Sequence, residues 1–459
     1  MKTTLRSLLC LLLCLLLAGS FSGLAFADEG NVPHRLTLVI GSEEKTVRAM
    51  DASYPGNLYL SLTDLAAALN GSEKQFRFTY GHSSSDGDFF NVIPGQSATE
   101  PSGVKDSTPE TAPVGYLYLW RNRLFVGDSE RRYYTTQVDR DLYMSLVDVQ
   151  LMLDLTMEYE AENRFRLYPD RPYAPDLEQL REEGYFDAFT SVLLADADSG
   201  DVFFQKNRFA AAPIASLTKL MSYLLIAESV KSGQLGLDTM VPVTQEALDL
   251  SLSADGIIDM TGVAAVSVSE LLDAMLLASS NESALALAQY LAGSESAFVE
   301  AMSRRAKELG LSSAEFHTVN GLPWYTPGTT PAKLQNCMSA FDLFKLCRHL
   351  LAFHPELTAR TAQAFGNMPT LNYMTANSNA LVFNLPGVNG LKTGNTNRAG
   401  YCLISSLPVT AGSATHTVVL VVLGAETPAV RNQASHMLLK YARNYYAEHG
   451  FSPSVEPVP

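Results

Sequence analysis

A serine and a lysine three residues apart, Ser216 and Lys219, form the first arrangement in the sequence with the potential to do chemistry. On a helix the two side chains share one face, about one turn apart. If that face is buried, the ammonium form of the lysine is costly, and its pKa falls towards that of a usable base. A helix start also leaves backbone N–H groups free to hold an oxyanion. The pair is therefore a candidate nucleophile and base for acyl transfer.

The spacing alone is weak evidence, because Ser42 and Lys45 also have it, with no apolar helix behind them. After Ser216 the apolar residues fall at 217, 220, 221, 224 and 225, the pattern of one buried helix face. Gly233 suits the end of that helix. The sequence thus predicts an amphipathic helix that carries both side chains.

A second polar arrangement, Ser279 and Asn281, interrupts two apolar helical patterns within residues 267–291. Ser267 and Glu270 predict a capping box at the start of the first of these helices. Between helices, a serine hydroxyl can relay a proton and an asparagine amide can hold a peptide group. An ordinary helix–helix turn is the alternative interpretation.

A third arrangement, Lys392-Thr393-Gly394, lies in "VNGLKTGNT" before two strand-like segments. A fixed cation and a hydroxyl suit a substrate carboxylate, and Gly394 lets a substrate backbone lie close to the strand. Lys231-Ser232-Gly233 has a similar pattern, but it ends a helix and precedes the Ser-x-Asn arrangement. Order and context favour the segment at 392.

The elements that position these residues imply an α+β domain with an antiparallel sheet. Residues 191–207 form two apolar runs around an Asp/Ser/Gly turn, which predicts a hairpin. A helical block follows from Ser216 to about His354, and strand patterns return at 400–407 and 416–426 before a last helix. Strands at both ends predict one sheet with a helical insert.

Ser-x-x-Lys, Ser-x-Asn and Lys-Thr-Gly, in this order, resemble the signature of the penicillin-recognising serine enzymes. Longer stretches, among them "IASLTKLM", "FHTVNGL" (316–322) and "GLKTGNTNRAGYCLISS", resemble the D-alanyl-D-alanine carboxypeptidases of the low-molecular-weight penicillin-binding type. The resemblance runs from about residue 191 to residue 445. It implies the β-lactamase/DD-peptidase fold.

The resemblance also implies roles at the matching positions. Ser216 would be acylated by the D-Ala-D-Ala end of a peptidoglycan stem peptide, with Lys219 as general base. Ser279 would relay the proton to the departing D-alanine, and Asn281 would orient the substrate and Lys219. β-Lactams would act as inhibitors at the same serine.

At the substrate strand, Lys392 and Thr393 would hold the terminal carboxylate beside Gly394. The oxyanion would lie between the backbone N–H groups of Ser216 and Asn395, which stands where many relatives have histidine. Water would hydrolyse the acyl-enzyme, and no metal or organic cofactor is needed.

Three other functions compete with this interpretation. A class A β-lactamase shares the motifs, but the chain lacks the Glu-x-x-Leu-Asn pattern tied to deacylation in that class. A DD-endopeptidase that cuts peptidoglycan crosslinks would use the same residues, so the sequence leaves it open. A non-catalytic muropeptide or β-lactam-binding protein is disfavoured by the intact serines and lysines.

The region before the predicted enzyme contains an internal repeat, "LYLSLTDLAAAL" (58–69) and "LYMSLVDVQLML" (142–153). Each copy predicts a strand, a helix begun at Ser61 or Ser145, and a further strand. A Pro/Gly/Ser/Thr-rich insert separates them at 93–115. The pattern resembles the copper amine oxidase N-terminal-like domain. No metal-ligand cluster accompanies His34 and His82, so a spacer or a cell-wall contact is expected.

The first 27 residues combine Lys2 and Arg6 with the run "LLCLLLCLLLAG" and an Ala-Phe-Ala site, which predicts a secretory signal peptide. Retention by an uncleaved signal segment is the alternative. Loss of the two basic residues changes the net charge from −15 to −17, which argues against nucleic acid or anionic membrane partners. A secreted or wall-associated protein is predicted, and its three remaining cysteines suggest a core held by packing.

These observations predict the following division of the chain: signal peptide 1–27, accessory domain 28–170 with repeat copies at 58–80 and 142–168, linker 171–190, serine DD-peptidase domain 191–448, and flexible tail 449–459.

Overall fold

The computed structural model describes residues 32–51, 58–84, 87–98, 123–138, 140–182, 184–325, 333–451 and 456–457. The predicted signal peptide and most of the predicted insert at 93–115 lie outside these residues. Within the described ranges, no helix has the length and apolarity needed to cross a bilayer. The chain divides into two compact units, one up to Tyr185 and one from Phe186 onward.

The described residues of the first unit form two sheets and three short helices. Its strands are β1 (Val32–Ile40), β2 (Glu43–Asp51), β3 (Leu58–Ser61), β4 (Phe76–Ser83), β5 (Gly87–Pro94), β6 (Arg123–Val126), β7 (Ser129–Arg131), β8 (Thr135–Val138), β9 (Asp141–Ser145), β10 (Thr156–Ala161) and β11 (Arg164–Tyr168). Its helices are α1 (Leu62–Ala68), α2 (Leu146–Leu153) and α3 (Leu177–Glu182). One sheet has the order β10-β11-β1-β2-β3-β9-β8, and the other has the order β4-β5-β6-β7.

The two repeat copies pair with each other inside the larger sheet. β3 runs antiparallel to β9, with Leu60 opposite Met144. Ser61 and Ser145 cap α1 and α2, and each hydroxyl accepts the N–H of the residue three positions later at 3.1 Å. Both helices therefore begin where the repeat predicted, because a serine in extended backbone satisfies one free donor of the first turn.

The second unit has a six-stranded sheet, several two-stranded sheets and nine α-helices among its described residues. Its strands are β12 (Ser191–Asp196), β13 (Asp201–Lys206), β14 (Ala211–Pro213), β15 (Met240–Pro242), β16 (Ala265–Ser267), β17 (Trp324–Tyr325), β18 (Lys333–Leu334), β19 (Cys337–Ser339), β20 (Phe365–Met368), β21 (Tyr373–Ala376), β22 (Leu391–Thr396), β23 (Gly400–Ala411), β24 (Ala414–Ala425) and β25 (Glu456–Pro457). Its helices are α4 (Lys219–Lys231), α5 (Gln245–Ser251), α6 (Val268–Asp273), α7 (Asn281–Ala292), α8 (Glu295–Glu308), α9 (Ala340–Phe353), α10 (Glu356–Thr361), α11 (Leu381–Asn384) and α12 (Pro428–His449).

The main sheet joins both ends of this unit, in the order β22-β23-β24-β12-β13-β25. All its neighbouring strands are antiparallel, and the early hairpin β12–β13 lies beside the late hairpin β23–β24. Helices α4 to α11 fall between the two sheet-forming parts of the chain, while α12 packs on β23 and β24. The predicted α+β architecture with a helical insert is confirmed.

Helix α4 is anchored by the apolar face that its sequence predicted. Leu217, Leu220, Met221 and Leu224 are completely buried in the core of the second unit. The helix ends at Lys231, and Gly233 follows with a φ of +77°, a conformation that glycine adopts without steric cost. The candidate site residues Ser216 and Lys219 at its start are therefore fixed to a rigid element.

The predicted capping box at α6 is only half correct. The Ser267 hydroxyl accepts the N–H of Glu270 at 3.2 Å, as a helix cap should. The Glu270 carboxylate does not return to Ser267; it accepts the N–H groups of Thr370 at 2.8 Å and Leu371 at 3.1 Å. A tertiary contact thus replaces the local one, because two free backbone donors lie within reach of the same side chain.

Candidate active site

Ser216 and Lys219 lie together at the start of α4. Ser216 belongs to a single 3-10 turn, Ala215–Thr218, and its side chain is partly exposed. Lys219 is the first residue of the α-helix and is completely buried. Its Nζ lies 2.8 Å from Ser216 Oγ. The turn therefore holds a hydroxyl at the surface and an amine directly beneath it.

The other neighbours of Lys219 decide what its amine can do. Nζ donates to Asn281 Oδ1 at 2.7 Å and to the backbone carbonyl of Asn320 at 2.8 Å. Both of these oxygens can only accept hydrogen bonds. A neutral amine has two N–H donors and one lone pair, so when both donors serve these oxygens the lone pair faces Ser216 Oγ. The geometry suits an amine that takes the serine proton.

Burial also favours the neutral amine. Loss of hydration is the main cause that lowers the pKa of Lys219 well below its usual value, and the nearby charge of Lys392 lowers it further. The Glu282 carboxylate opposes this effect. Glu282 is itself completely buried and accepts the N–H of Ile258 at 2.6 Å. Lys219 thus lies where it can accept the proton of Ser216, and its pKa is lowered in the way that this role requires.

The Ser-x-Asn arrangement lies between helices, as predicted. A π-helical turn, Ala274–Ala278, ends at Ser279, which has a left-handed backbone with a φ of +67°. Ser280 then caps α7, whose first residue is Asn281. The Asn281 amide binds in two directions, because Nδ2 donates to the Asp255 carbonyl at 2.7 Å while Oδ1 accepts from Lys219. The half-buried Ser279 hydroxyl makes no hydrogen bond with any residue in the described ranges.

The Lys-Thr-Gly segment forms β22, the edge strand of the main sheet, beside the turn that contains Ser216. A Cβ added to Gly394 would lie 2.8 Å from the backbone N of Ser216 and 3.1 Å from that of Leu217. Only glycine lets the strand approach the turn this closely. The side chain of Asn395, the next residue, is exposed.

Lys392 and Thr393 are both buried on this strand. Lys392 Nζ donates to the Thr393 carbonyl at 2.9 Å, and Thr393 Oγ1 donates to Ser378 Oγ at 2.7 Å. Burial lowers the pKa of Lys392 to about 7, with the charge of Arg431 as the second cause. In the described part of the chain, Lys392 and Ser279 make no hydrogen bond to Ser216 or Lys219.

The structure adds three residues to which the sequence gave no role: Asn320, Gly321 and Ser378. Asn320 contributes its carbonyl to Lys219. Gly321 has a φ of +86°, and a Cβ there would lie 2.0 Å from the Ala215 carbonyl oxygen. "FHTVNGL" contains both residues and was the available signal, whereas Ser378 had none.

The two other segments that share these sequence patterns belong to different elements. Ser42 is exposed in the turn before β2, and Lys45 forms an ion pair with Glu43 at 2.6 Å. Lys231-Ser232-Gly233 ends α4, and Lys231 Nζ donates to the Phe353 carbonyl at 3.1 Å. Their positions agree with the choice made from order and context.

Residues 184–427, more than half of the chain, match the D-alanyl-D-alanine carboxypeptidase family, peptidase family S11. The chain belongs to this family. The family match begins at residue 184, so the likeness of the first unit to the copper amine oxidase N-terminal-like domain stays a prediction, as do the detailed domain boundaries.

Individual relatives agree with the family assignment. The chain is 30% identical over 261 residues to D-alanyl-D-alanine carboxypeptidase DacF of Bacillus subtilis, across 56% of this chain and 63% of that protein. It is also 30% identical over 220 residues to a D-alanyl-D-alanine endopeptidase of Pseudomonas aeruginosa, across 47% of this chain and 65% of that protein. The chain therefore spans less than two thirds of the length of both relatives.

A solved structure supports the DD-peptidase fold. The peptidoglycan synthesis regulatory factor PBP3 of Streptococcus pneumoniae is 27% identical, with a TM-score of 0.52. The match covers 56% of this chain and 72% of that protein.

Proposed function

We propose that this protein is a serine-type D-Ala-D-Ala carboxypeptidase that removes the terminal D-alanine of peptidoglycan stem peptides. The observation that carries the proposal is the buried Lys219 amine, 2.8 Å from Ser216 Oγ and bound on its other sides to acceptors alone. Such an amine is a general base aimed at a nucleophile. Family membership supports the choice of substrate.

In the acylation step, Ser216 Oγ attacks the carbonyl carbon of the penultimate D-alanine while Lys219 accepts the hydroxyl proton. The backbone N–H groups of Ser216 and Asn395 stabilise the oxyanion of the tetrahedral intermediate. As the intermediate collapses, the C–N bond breaks, and the proton passes from Lys219 through Ser279 to the amine of the departing D-alanine. Water then hydrolyses the ester, which releases the shortened peptide and restores Ser216.

The substrate carboxylate is held by the Lys392 ammonium and the Thr393 hydroxyl. The Thr393 hydroxyl donates its proton to Ser378 Oγ at 2.7 Å, so it must turn that proton to the carboxylate when substrate binds. Gly394 leaves room for the substrate backbone along the edge of β22, and Asn281 orients the substrate and Lys219 together. A β-lactam carries the same carboxylate and an acylating carbonyl, so it acylates Ser216 in the same way.

The proposed setting is outside the cytoplasmic membrane, after export by the predicted signal peptide. The proposed organisation keeps the accessory domain at 28–170, the linker at 171–190 and the peptidase domain at 191–448. Contact with the cell wall through the first unit is part of this proposal. The chemistry requires no metal or organic cofactor.

A DD-endopeptidase that cuts crosslinks is the second candidate, favoured by the 30% identity to a relative named as an endopeptidase. The two activities are separated by incubating the protein with a disaccharide pentapeptide and with a D,D-crosslinked dimer, and analysing both by mass spectrometry. We expect loss of one D-alanine from the pentapeptide to be at least about tenfold faster than cleavage of the dimer, which corresponds to about 1.4 kcal/mol. The reverse order would identify an endopeptidase. Cleavage of neither, or equal cleavage by Ser216→Ala, would overturn the proposal.

A further inference from the structure

A cluster of metal-ligating side chains lies at the far end of the helix that begins with Lys219. Glu228 is on the last turns of α4, His349 is on the last turns of α9, and His354 follows α9 directly. One ligand atom from each of the three residues lies within 4.8 Å of the others. Glu228 is nine residues after Lys219, about 13 Å along a helix, so the cluster is separate from the catalytic residues.

Each of the three side chains has an atom free to bind a ligand. Glu228 Oε1 accepts from Arg305 Nε at 2.9 Å and from Arg305 Nη2 at 2.7 Å. Among the described residues, Glu228 Oε2 and the His349 ring make no hydrogen bond. The two side chains are only partly buried, so an ion can reach them.

His354 is held in the manner of a metal ligand. Its ring is buried, and Nδ1 lies 3.3 Å from Glu356 Oε1. A carboxylate on one nitrogen of an imidazole fixes the ring and its tautomer, and leaves the other nitrogen as the ligand. Glu356 therefore does for His354 what outer carboxylates do at known zinc sites.

We propose that Glu228, His349 and His354 bind a zinc ion that fastens α4 to α9. Two imidazole nitrogens and one carboxylate oxygen form a ligand set that zinc prefers, and water takes the fourth position. Zinc–ligand bonds of about 2.0–2.1 Å place tetrahedral ligands about 3.3 Å apart. Binding therefore requires the three atoms, which lie within 4.8 Å of one another, to move to that separation. The ion stabilises the fold and takes no part in acyl transfer.

The charges around the cluster act in both directions. The C-terminal ends of α4 and α9 meet here, and their partial negative charge favours a cation. Arg305 and Lys231 oppose it: Arg305 donates to Glu228 itself through Nε and Nη2 and to Glu308 through Nη1 at 2.9 Å, while Lys231 donates to the Phe353 carbonyl. We therefore expect micromolar rather than nanomolar affinity.

A second cluster supplies a matched control. Asp196, Asp198 and His416 also bring ligand atoms within 4.8 Å of one another. Asp196 already accepts from Tyr446, from His416 and from the backbone N–H of Asp198, and Asp198 accepts the N–H of Thr417 at 2.7 Å. Because protein donors satisfy these carboxylates, this cluster should not bind zinc.

The experiment is a zinc chloride titration of the untagged protein after treatment with EDTA, followed by calorimetry and by thermal unfolding. We expect one zinc ion per chain and a rise in Tm of roughly 5 °C at saturating zinc. His349→Ala should abolish both effects, Glu228→Gln should weaken binding at least about tenfold, the low end of what loss of a single metal-site group costs, and His416→Ala should change neither. Circular dichroism verifies that each variant is folded.

Three results would overturn the zinc site. They are the absence of zinc binding to the unaltered protein, full binding by the folded His349→Ala or Glu228→Gln variant, and loss of binding in His416→Ala alone. The acylation rate with benzylpenicillin serves as a separate readout, and removal of zinc should leave it unchanged. Failure of the zinc site and failure of the proposed peptidase activity are thereby distinguished.

Discussion

At the residue scale, the proposed reactivity of Ser216 depends on the atoms around a single amine. Lys219 has no exposed surface, and its hydrogen bonds end on Ser216, Asn281 and the Asn320 carbonyl. An ammonium at this position loses its hydration, whereas a neutral amine satisfies both of its donors and directs its lone pair at the serine. In the proposed mechanism, Lys219 thus serves as the base without a histidine.

Replacing Lys219 with methionine tests this role. The side chain is similar in volume and apolar, so the buried position should tolerate it, while the proton acceptor is lost. We expect the acylation rate with benzylpenicillin to fall by about 10²–10⁴-fold, the contribution typical of a general base. Stopped incubations analysed by intact mass give the rate, and thermal unfolding verifies the fold. A pure binding protein would retain its ligand affinity and show no such loss.

The pH dependence of acylation follows from the two buried lysines. Lys219 must be neutral to accept a proton, so acylation is lost as pH falls below its depressed pKa. Lys392 must be charged to hold a carboxylate, and burial lowers its pKa to about 7, so the second-order rate constant should decrease above that pH in the free enzyme. Lys392→Arg should move the alkaline decrease to higher pH, because guanidinium stays protonated. An unchanged alkaline limb in this variant would contradict the assignment of Lys392.

The residue pattern predicted part of this site and missed the rest for a physical reason. Ser216, Lys219 and Asn281 were predictable because their side chains are rare in apolar helical patterns and their order is specific. The Asn320 carbonyl was not predictable, because every residue has a backbone carbonyl. Its direction depends on how the whole chain folds. Ser378, between two asparagines, has the composition of an ordinary turn.

At the scale of elements, the site depends on how closely β22 approaches the turn before α4. The approach is set by Gly394 on the strand and by Gly321 behind the turn, each with too little room for a Cβ. An antiparallel edge strand and a helix start are thereby held at a fixed separation. In the proposed mechanism, the substrate fits between Ser216 and this edge.

Gly394→Ala tests the approach of the strand. The added Cβ would lie 2.8 Å from the Ser216 nitrogen, so strand and turn must separate. We expect a loss of about 10²-fold in acylation, because displacements of about 1 Å have such effects. Gly412→Ala is the control: its φ is +62° and its Cβ meets no atom within 4 Å. That variant should lose about 1–2 kcal/mol of stability and keep its acylation rate; equal activity in both would refute the close-approach argument.

Elements of sufficient length were predicted well, and the short ones were not. The hairpins of the main sheet and helix α4 have clear apolar periodicity. The three-residue pair β14–β19, with Ala212 opposite Met338, is too short for an alternating pattern to be visible. The second half of the predicted capping box was wrong because Glu270 found donors 100 residues away in sequence.

At the scale of the whole molecule, each of the two units has a large apolar core among its described residues. The core of the first unit runs from Leu36 to Leu167, and the core of the second runs from Leu193 to Leu423. The main sheet of the second unit is built entirely from residues after Phe186. Strands at both ends of this unit made the α+β architecture predictable from sequence, because a sheet must collect them.

A chain of residues 186–459 should therefore fold by itself and become acylated by benzylpenicillin. We expect a cooperative thermal transition and an acylation rate within about twofold of that of the whole chain, since a twofold change is only about 0.4 kcal/mol. The same short chain with Ser216→Ala is the control. An unfolded product, or a folded one without acylation, would show that the second unit is not an independent peptidase domain.

The most direct test of the central claim is the intact mass of the purified protein after mixing with benzylpenicillin, followed over hours beside Ser216→Ala. The proposed mechanism predicts one long-lived covalent adduct per chain, absent from the variant, because the acyl-enzyme forms on Ser216. An adduct that disappears within seconds while the drug is consumed would indicate a β-lactamase. The absence of any adduct, or an equal adduct on Ser216→Ala, would contradict the assignment of Ser216 as the nucleophile.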